Sequence, residues 1–198
     1  MTDTAMPAQN ATATGTAFTV ILAVSLCHGI NDIMQSLLSA IYPLLKENYG
    51  LDFWQIGLLT FTFQLTASLL QPVVGMITDK KPMPFSLPAG MTASLIGLIV
   101  IAYAGHYWIL LIGASLIGIG SSIFHPESSR IARLASGGRH GMAQSLFQVG
   151  GNAGQAIGPL LAAFIVVPYG QTSVAWFAVG SLLGIAVLYQ VGAWYKRF

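Results

Sequence analysis

The sequence is short of charge. Aspartate, glutamate, lysine and arginine make up 7% of its 198 residues, whereas a soluble globular domain carries roughly 25% charged residues. Hydrophobic residues make up 55%, and apolar stretches of about 20 residues, enough to cross roughly 30 Å of hydrocarbon as a helix, recur along the whole chain. These properties exclude an ordinary water-soluble domain and predict a polytopic helical membrane protein.

Cysteine is also nearly absent. The single cysteine, Cys27, excludes an internal disulfide and a cysteine-based metal site, and we interpret it as a small apolar packing residue. The sequence shows no phosphate-binding loop, dinucleotide fingerprint or metal-ligand cluster. We therefore expect no cofactor, no metal, no nucleic-acid partner and no ATP-driven activity.

Six apolar runs are separated by short connections that are polar or contain glycine and proline. They predict membrane spans at about 18–45, 54–78, 85–104, 107–129, 140–167 and 172–195. We expect an all-α membrane protein in which residues 17–198 form a bundle of six transmembrane helices. Residues 1–16 are small and polar and lack the features of a signal peptide, so we expect a disordered cytoplasmic tail.

The basic residues are distributed unevenly among the connections. If the N-terminus is cytoplasmic, seven of the eight lie on the cytoplasmic side and only Lys46 lies outside. Aromatic residues at the outer connections, among them Tyr49, Trp54 and Trp108, are typical of an interfacial belt. We therefore predict that both termini are cytoplasmic, in a bacterial-type inner (plasma) membrane.

Polar side chains follow one helical face in several of the predicted spans. In the first span this face contains His28, Asn31, Asp32 and Gln35, which are spaced three or four residues apart. The cavity-lining candidates of the second and fifth spans are Gln64, Gln71, Gln148, Asn152 and Gln155. Such groups lose on the order of several kcal/mol each when they face lipid, so we expect them to line a hydrophilic cavity.

The pattern of polar residues has a period of three spans. The first and fourth spans carry the ionisable groups, and the third and sixth carry almost no polar side chains. An inverted three-plus-three repeat would give this period. In the fifth span, Gly150, Gly154 and Gly158 lie four residues apart and are followed by Pro159, which predicts a ridge where a neighbouring backbone approaches closely.

Asp32 is the strongest functional candidate, because a carboxylate near the middle of a span is expensive and by default functional. We hypothesise that it couples transport to protons or lines the cavity, with a structural polar contact as the alternative. His28, one turn away, could relay a proton or fill a hydrogen-bonded core position. Asn31 and Gln35 could bind substrate or complete the network.

A second group of candidates lies near the cytoplasmic end of the fourth span. Glu127 and Arg130 are three residues apart, which permits an intrahelical ion pair, and Pro126 favours a kink. Together with His125 they could bind substrate or gate the pathway. The alternative is an ion pair that only anchors the helix end.

Two stretches resemble motifs of the major facilitator superfamily. The first, Gly75-Met-Ile-Thr-Asp79-Lys80-Lys81, is similar to its cytoplasmic loop motif, and Gly150-Gly-Asn-Ala-Gly154-Gln-Ala-Ile-Gly158-Pro159 is similar to the motif of its antiporters. The stretches "CHGINDIMQSLLSAIYPLLKENYGLDFWQIGLLTFTFQLTASLLQPVVG", "FHPESSRIA" and "SLFQVGGNAGQAIGPL", in this order along the chain, resemble drug efflux transporters of the fosmidomycin-resistance type.

This resemblance implies proton-driven export of small molecules by alternating access between two six-helix halves. It also implies that Gly75, Asp79, Lys80 and Lys81 form a conformational latch. The superfamily fold has twelve spans, and the six predicted here correspond to its N-terminal half. We therefore expect a second half, supplied by another chain or by self-association.

Two alternatives remain open at this stage. The chain could be a truncated or split transporter that inserts into the membrane without transport activity. It could also be an intramembrane hydrolase, because Ser121 and His125 are one helical turn apart. The sequence has no strand-turn-helix setting for a nucleophile, and hydrolysis does not require polar faces on four helices, so we expect that the protein is not an enzyme.

Overall fold

The computed structural model describes residues 16–197, and within this range all regular secondary structure is helical. The helices are α1 (Phe18–Ala40), α2 (Tyr42–Tyr49), α3 (Phe53–Lys80), α4 (Ser86–Ala102), α5 (Tyr107–Leu134), α6 (His140–Leu161), α7 (Val167–Tyr169) and α8 (Ala178–Tyr195). A π-helical turn, Ala162–Val166, joins α6 to α7, and a 3₁₀ segment, Gln171–Phe177, leads into α8. Of the predicted tail, residues 1–15 lie outside the described residues.

Five helical stretches are long and apolar enough to cross a membrane, and they contain α1, α3, α5, α6 with α7, and α8. The helix α4 is apolar as well but has 17 residues, at the short end of the range of about 17 to 25 for a spanning helix. With α4 included, the helices agree with the six predicted spans in number and order.

Two helix boundaries differ from the sequence prediction. The first span was expected to continue to about residue 45, but α1 ends at Ala40 and α2 begins at Tyr42. Pro43 explains the break, because it has no backbone N–H and its ring disfavours a continuing helix. In α5, by contrast, the helix runs through Pro126 without interruption and ends at Leu134, five residues beyond the predicted limit of about residue 129.

Small residues bring α1 and α6 into backbone contact. A Cβ atom added at Gly150 would overlap the carbonyl of Ser25, and one added at Gly154 would overlap the carbonyl of Gly29. Ser25 also donates from Oγ to the carbonyl of Leu146 at 2.6 Å. The glycine ridge that the sequence predicts in the fifth span therefore lies against α1 and fixes the position of one helix relative to the other.

The helix α5 packs in the same manner on α3 and α4. A Cβ atom added at Gly118 would overlap the side chain of Thr66 in α3, and one added at Gly120 would overlap Ser94 in α4. The most extensive helix pairs are α1 with α6, α4 with α5 and α3 with α5. An inverted repeat that exchanges the first three spans with the last three relates the first of these pairs to the third.

A set of hydrogen bonds, the outer clasp, joins three connections at the end of the bundle that we predict to be outside. Tyr49 donates from its hydroxyl to the carbonyl of Ala104 at 2.5 Å. Gln171 donates from Nε2 to the carbonyl of Ile101 at 2.7 Å and to the Tyr49 hydroxyl at 2.7 Å. The clasp ties the ends of α2 and α4 to the start of the 3₁₀ segment.

Candidate functional site

The main candidate site, the Asp32 cluster, is a buried carboxylate surrounded by nitrogen atoms. Asp32 is 1% exposed. Its Oδ1 lies 3.4 Å from His125 Nε2, and its Oδ2 lies 3.5 Å from His28 Nε2. Gln35 donates from Nε2 to Oδ1 at 3.1 Å, and Gln155 donates from Nε2 to Oδ2 at 3.0 Å. These five residues define the cluster.

Helical spacing and backbone packing bring the cluster together. His28, Asp32 and Gln35 share a face of α1 because they lie three and four residues apart. Gln155 reaches this face because the preceding residue, Gly154, touches the α1 backbone. His125 comes from α5, and residue spacing gives no sign that it joins the same site.

The two histidine rings have defined orientations. His28 Nδ1 lies 2.9 Å from the carbonyl of Phe147, and the His28 ring stacks on the Phe147 ring with centroids 4.0 Å apart. His125 Nδ1 lies 3.0 Å from the carbonyl of Ser121. A carbonyl can only accept a hydrogen bond, and Ser121 Oγ, 3.2 Å from His125 Nδ1, donates its proton to Gln35 Oε1. Each ring can therefore donate its Nδ1–H and turn Nε2 toward Asp32.

The number of protons shared by the two rings and Asp32 decides whether these groups hydrogen-bond to one another. If both rings are neutral and Asp32 is ionised, two Nε2 lone pairs face two carboxylate oxygens, and none of these four atoms can donate. A single proton, on the carboxylate or on one Nε2, turns one of the two contacts into a hydrogen bond. The cluster is therefore chemically suited to hold and release a proton.

Buried serines extend the network beyond the cluster. Ser121 donates from Oγ to Gln35 Oε1 at 3.0 Å, and Ser94 donates from Oγ to Asn31 Oδ1 at 3.4 Å. Asn31 in turn lies with Nδ2 3.4 Å from Asp32 Oδ1. Sequence reasoning missed Ser94 and Phe147, and a lone serine or phenylalanine in an apolar run carries no signal that would have identified them.

The cluster reaches the surface on one side. Asp32 and His28 are buried, whereas the His125 side chain is 28% exposed and Gln155 is exposed. Gln148 and Asn152 are exposed on the same helix as Gln155. On α3, Gln64 is exposed and Gln71 is half-buried, and within residues 16–197 no hydrogen bond joins these two to the cluster.

Arg130, Glu127 and Asp79 form a second group, the Arg130 cluster, at the end of the bundle that we predict to be cytoplasmic. Arg130 Nη1 lies 3.5 Å from Glu127 Oε1 and 4.0 Å from Asp79 Oδ1, and it donates to the carbonyl of Thr78. Glu127 is buried and accepts at Oε2 from Ser86 Oγ at 3.0 Å. Arg130 thereby joins α5 to the end of α3.

The structure divides the predicted substrate or gate group. His125 contacts Asp32, whereas Glu127 and Arg130 contact Ser86 and the end of α3. Of the predicted latch residues, Asp79 reaches Arg130, and Lys80 and Lys81 are exposed at the end of α3. A cavity of about 490 Å³ lies beside Arg130 and is also lined by Asp79, Arg133, His140 and Gln144.

Comparison with known proteins identifies the chain's relatives. The sequence profile of the Major Facilitator Superfamily matches residues 24–197. The fosmidomycin resistance protein of Escherichia coli (strain K12) is 58% identical over 189 residues, which cover 96% of this chain and 47% of that protein. An uncharacterized MFS-type transporter of Bacillus subtilis (strain 168) is 42% identical over 180 residues, which cover 91% of this chain and 44% of that protein.

A solved structure has the same fold. A bacterial homolog of the human lysosomal transporter Spinster, in an inward-facing and unoccupied conformation, superimposes with a TM-score of 0.78 at 16% identity. The match covers 90% of this chain and 43% of that one. The chain thus spans about half the length of the relatives that it matches.

Proposed function

The chain belongs to the Major Facilitator Superfamily, and from that premise we propose that it forms the N-terminal six-helix half of a proton-coupled exporter of small, drug-like molecules. Its relatives are membrane transporters, and the protein carries several apolar helices of membrane-spanning length. The identity of 58% to a fosmidomycin resistance protein makes fosmidomycin the first substrate to test.

The Asp32 carboxylate between two imidazole nitrogens carries the proposal of proton coupling. Without a proton, acceptor atoms of α1 and α5 face one another at 3.4 Å between Asp32 and His125. With a proton, the same contact becomes a hydrogen bond that holds the two helices together. A proton that arrives or leaves therefore changes the interaction between α1 and α5, as a coupling site requires.

A second six-helix half is needed to complete the pathway. The exposed amides Gln148, Asn152 and Gln155 of α6 are too polar for lipid, so they form one wall of a cavity opposite another domain. Alternating access then consists of rocking of one half against the other around this cavity. A second copy of this domain could also supply the opposite wall.

The test is to measure proton movement during transport. In proteoliposomes that contain a pH-sensitive dye, addition of fosmidomycin should drive protons in the direction opposite to the substrate, and a protonophore should abolish uphill transport. Substrate flux that is unchanged after the pH gradient collapses would refute proton coupling. A folded protein that transports nothing, even with a second half supplied, would support the inactive alternative.

We also propose that both termini are cytoplasmic, as the distribution of basic residues indicates. Cys27 is buried, so single introduced cysteines report accessibility. On whole cells, a membrane-impermeant maleimide should label Glu47→Cys, and it should label Arg139→Cys only after the membrane is opened. The unmodified protein is the control, and the opposite labelling pattern would contradict this orientation.

A further inference from the structure

The Asp32 cluster has the geometry of a metal site. One ligand atom from each of His28, Asp32 and His125 lies within 4.8 Å of the other two. The two nitrogen–oxygen distances are 3.5 Å and 3.4 Å. Atoms bound about 2.0 to 2.1 Å from a tetrahedral zinc ion lie about 3.4 Å from one another. The 3.5 Å distance ends on Asp32 Oδ2 and the 3.4 Å distance on Oδ1, so each histidine nitrogen already lies at ligand spacing from one oxygen of the carboxylate. A modest contraction would bring the three ligand groups around a common centre.

The surroundings of the two histidines provide an independent observation. A metal-bound histidine usually donates its other ring N–H to a carbonyl or carboxylate, which fixes the ring and leaves one nitrogen free for the metal. His28 and His125 both do this, through Nδ1 to the carbonyls of Phe147 and Ser121. Gln35 and Gln155 hold the carboxylate of Asp32 in the same way.

We propose that His28 Nε2, His125 Nε2 and the Asp32 carboxylate bind a divalent transition-metal ion of the zinc type. Two imidazoles and one carboxylate suit zinc and its first-row neighbours, whereas calcium and magnesium prefer oxygen ligands. Three protein ligands leave one position open for water or for an oxygen atom of a bound molecule. The exposed edge of His125 provides the entry path.

A bound metal ion would replace the proton that the same three side chains share. Because it would hold α1 and α5 together, it should inhibit transport. This inhibition rests on the proposed function, whereas metal binding itself does not. Local spacing in the sequence predicts no metal site because the third ligand comes from a different helix.

Zinc binding to the purified, tag-free protein in detergent tests the inference. Calorimetry should show one Zn²⁺ per chain, and His125→Gln should weaken binding by at least about 100-fold, since loss of a supporting hydrogen bond alone costs 10- to 100-fold. Gln155→Leu should weaken it by about 10- to 100-fold. The matched control is the double variant His106→Gln/His140→Gln, which changes the other two of the four histidines. Its affinity for zinc should equal that of the native protein.

Cobalt(II) provides a spectroscopic check on the same protein. Intense visible bands, as four-coordinate cobalt gives, should appear in the native protein and disappear in His125→Gln. Absence of stoichiometric zinc binding to the native protein, or equal affinity in His125→Gln and the native protein, would overturn the inference. Circular dichroism and gel filtration establish that each variant is folded.

The metal inference and the proposed function can fail separately. If the native protein binds zinc and Asp32→Asn still transports normally under a proton gradient, only the coupling role of Asp32 is refuted. Proton-coupled transport by a protein that binds no zinc would refute the metal site alone.

Discussion

Asp32→Asn should reduce proton-driven efflux to the level of empty liposomes while the protein remains folded in the membrane. Asparagine has nearly the shape of aspartate, and its amide can donate to one of the two Nε2 atoms that face Asp32. The side chain can no longer carry a negative charge or take up a proton. Initial rates of fosmidomycin efflux under an imposed pH gradient measure the effect.

The control for this substitution is Asp52→Asn. Asp52 caps the start of α3 by accepting from the Gln55 backbone N–H at 2.7 Å, and asparagine caps helices about as well as aspartate. Efflux by this variant should equal that of the native protein. If Asp32→Asn also transported normally across a pH gradient, Asp32 would have no part in coupling.

Gly154→Ala should destabilise the protein by about 1 to 3 kcal/mol, the typical cost of an extra methyl group in a close-packed site. The added Cβ would overlap the carbonyl of Gly29. Because that obstacle is backbone, no side-chain rotamer relieves it, and α6 must move away from α1. Gln155, the next residue, would then lose its hydrogen bond to Asp32 at 3.0 Å, so efflux should fall as well.

The matched control is Gly180→Ala in α8, where an added Cβ has nothing within 4 Å. Alanine favours a helix over glycine by about 1 kcal/mol, so this variant should be as stable as the native protein or more so. Thermal unfolding in detergent, followed by size-exclusion chromatography, compares the two. Equal midpoints for both variants would show that contact between α1 and α6 does not determine stability.

The sequence predicted those parts of the fold that depend on one helix at a time. The lengths of the apolar runs gave the six spans, and the spacing of His28, Asp32 and Gln35 placed them on one face of α1. The end of α1 was wrong by about five residues because hydropathy continues across Pro43, although the helix does not.

The division between His125 and Glu127 was also within reach of the sequence. Successive residues of a helix are about 100° apart, so residues 125 and 127 point about 200° apart and cannot face the same partner. We grouped His125 with Glu127 because they are close in the sequence. In the structure His125 contacts α1 and Glu127 contacts α4. The contacts of His125 with Asp32 and of Glu127 with Ser86 depend on helix packing, which spacing along the chain does not encode.

The outer clasp has a consequence for the bilayer thickness that the protein tolerates. With 17 residues, α4 is about 25 Å long, shorter than the roughly 30 Å of hydrocarbon that it has to cross. The last carbonyls of a helix need donors, which water or headgroups normally provide. Gln171 supplies a donor to Ile101 in the last turn of α4, and Tyr49 supplies one to Ala104, two residues beyond the helix. The end of α4 can therefore lie below the membrane surface, so hydrophobic mismatch at this helix does not require the bilayer to thin.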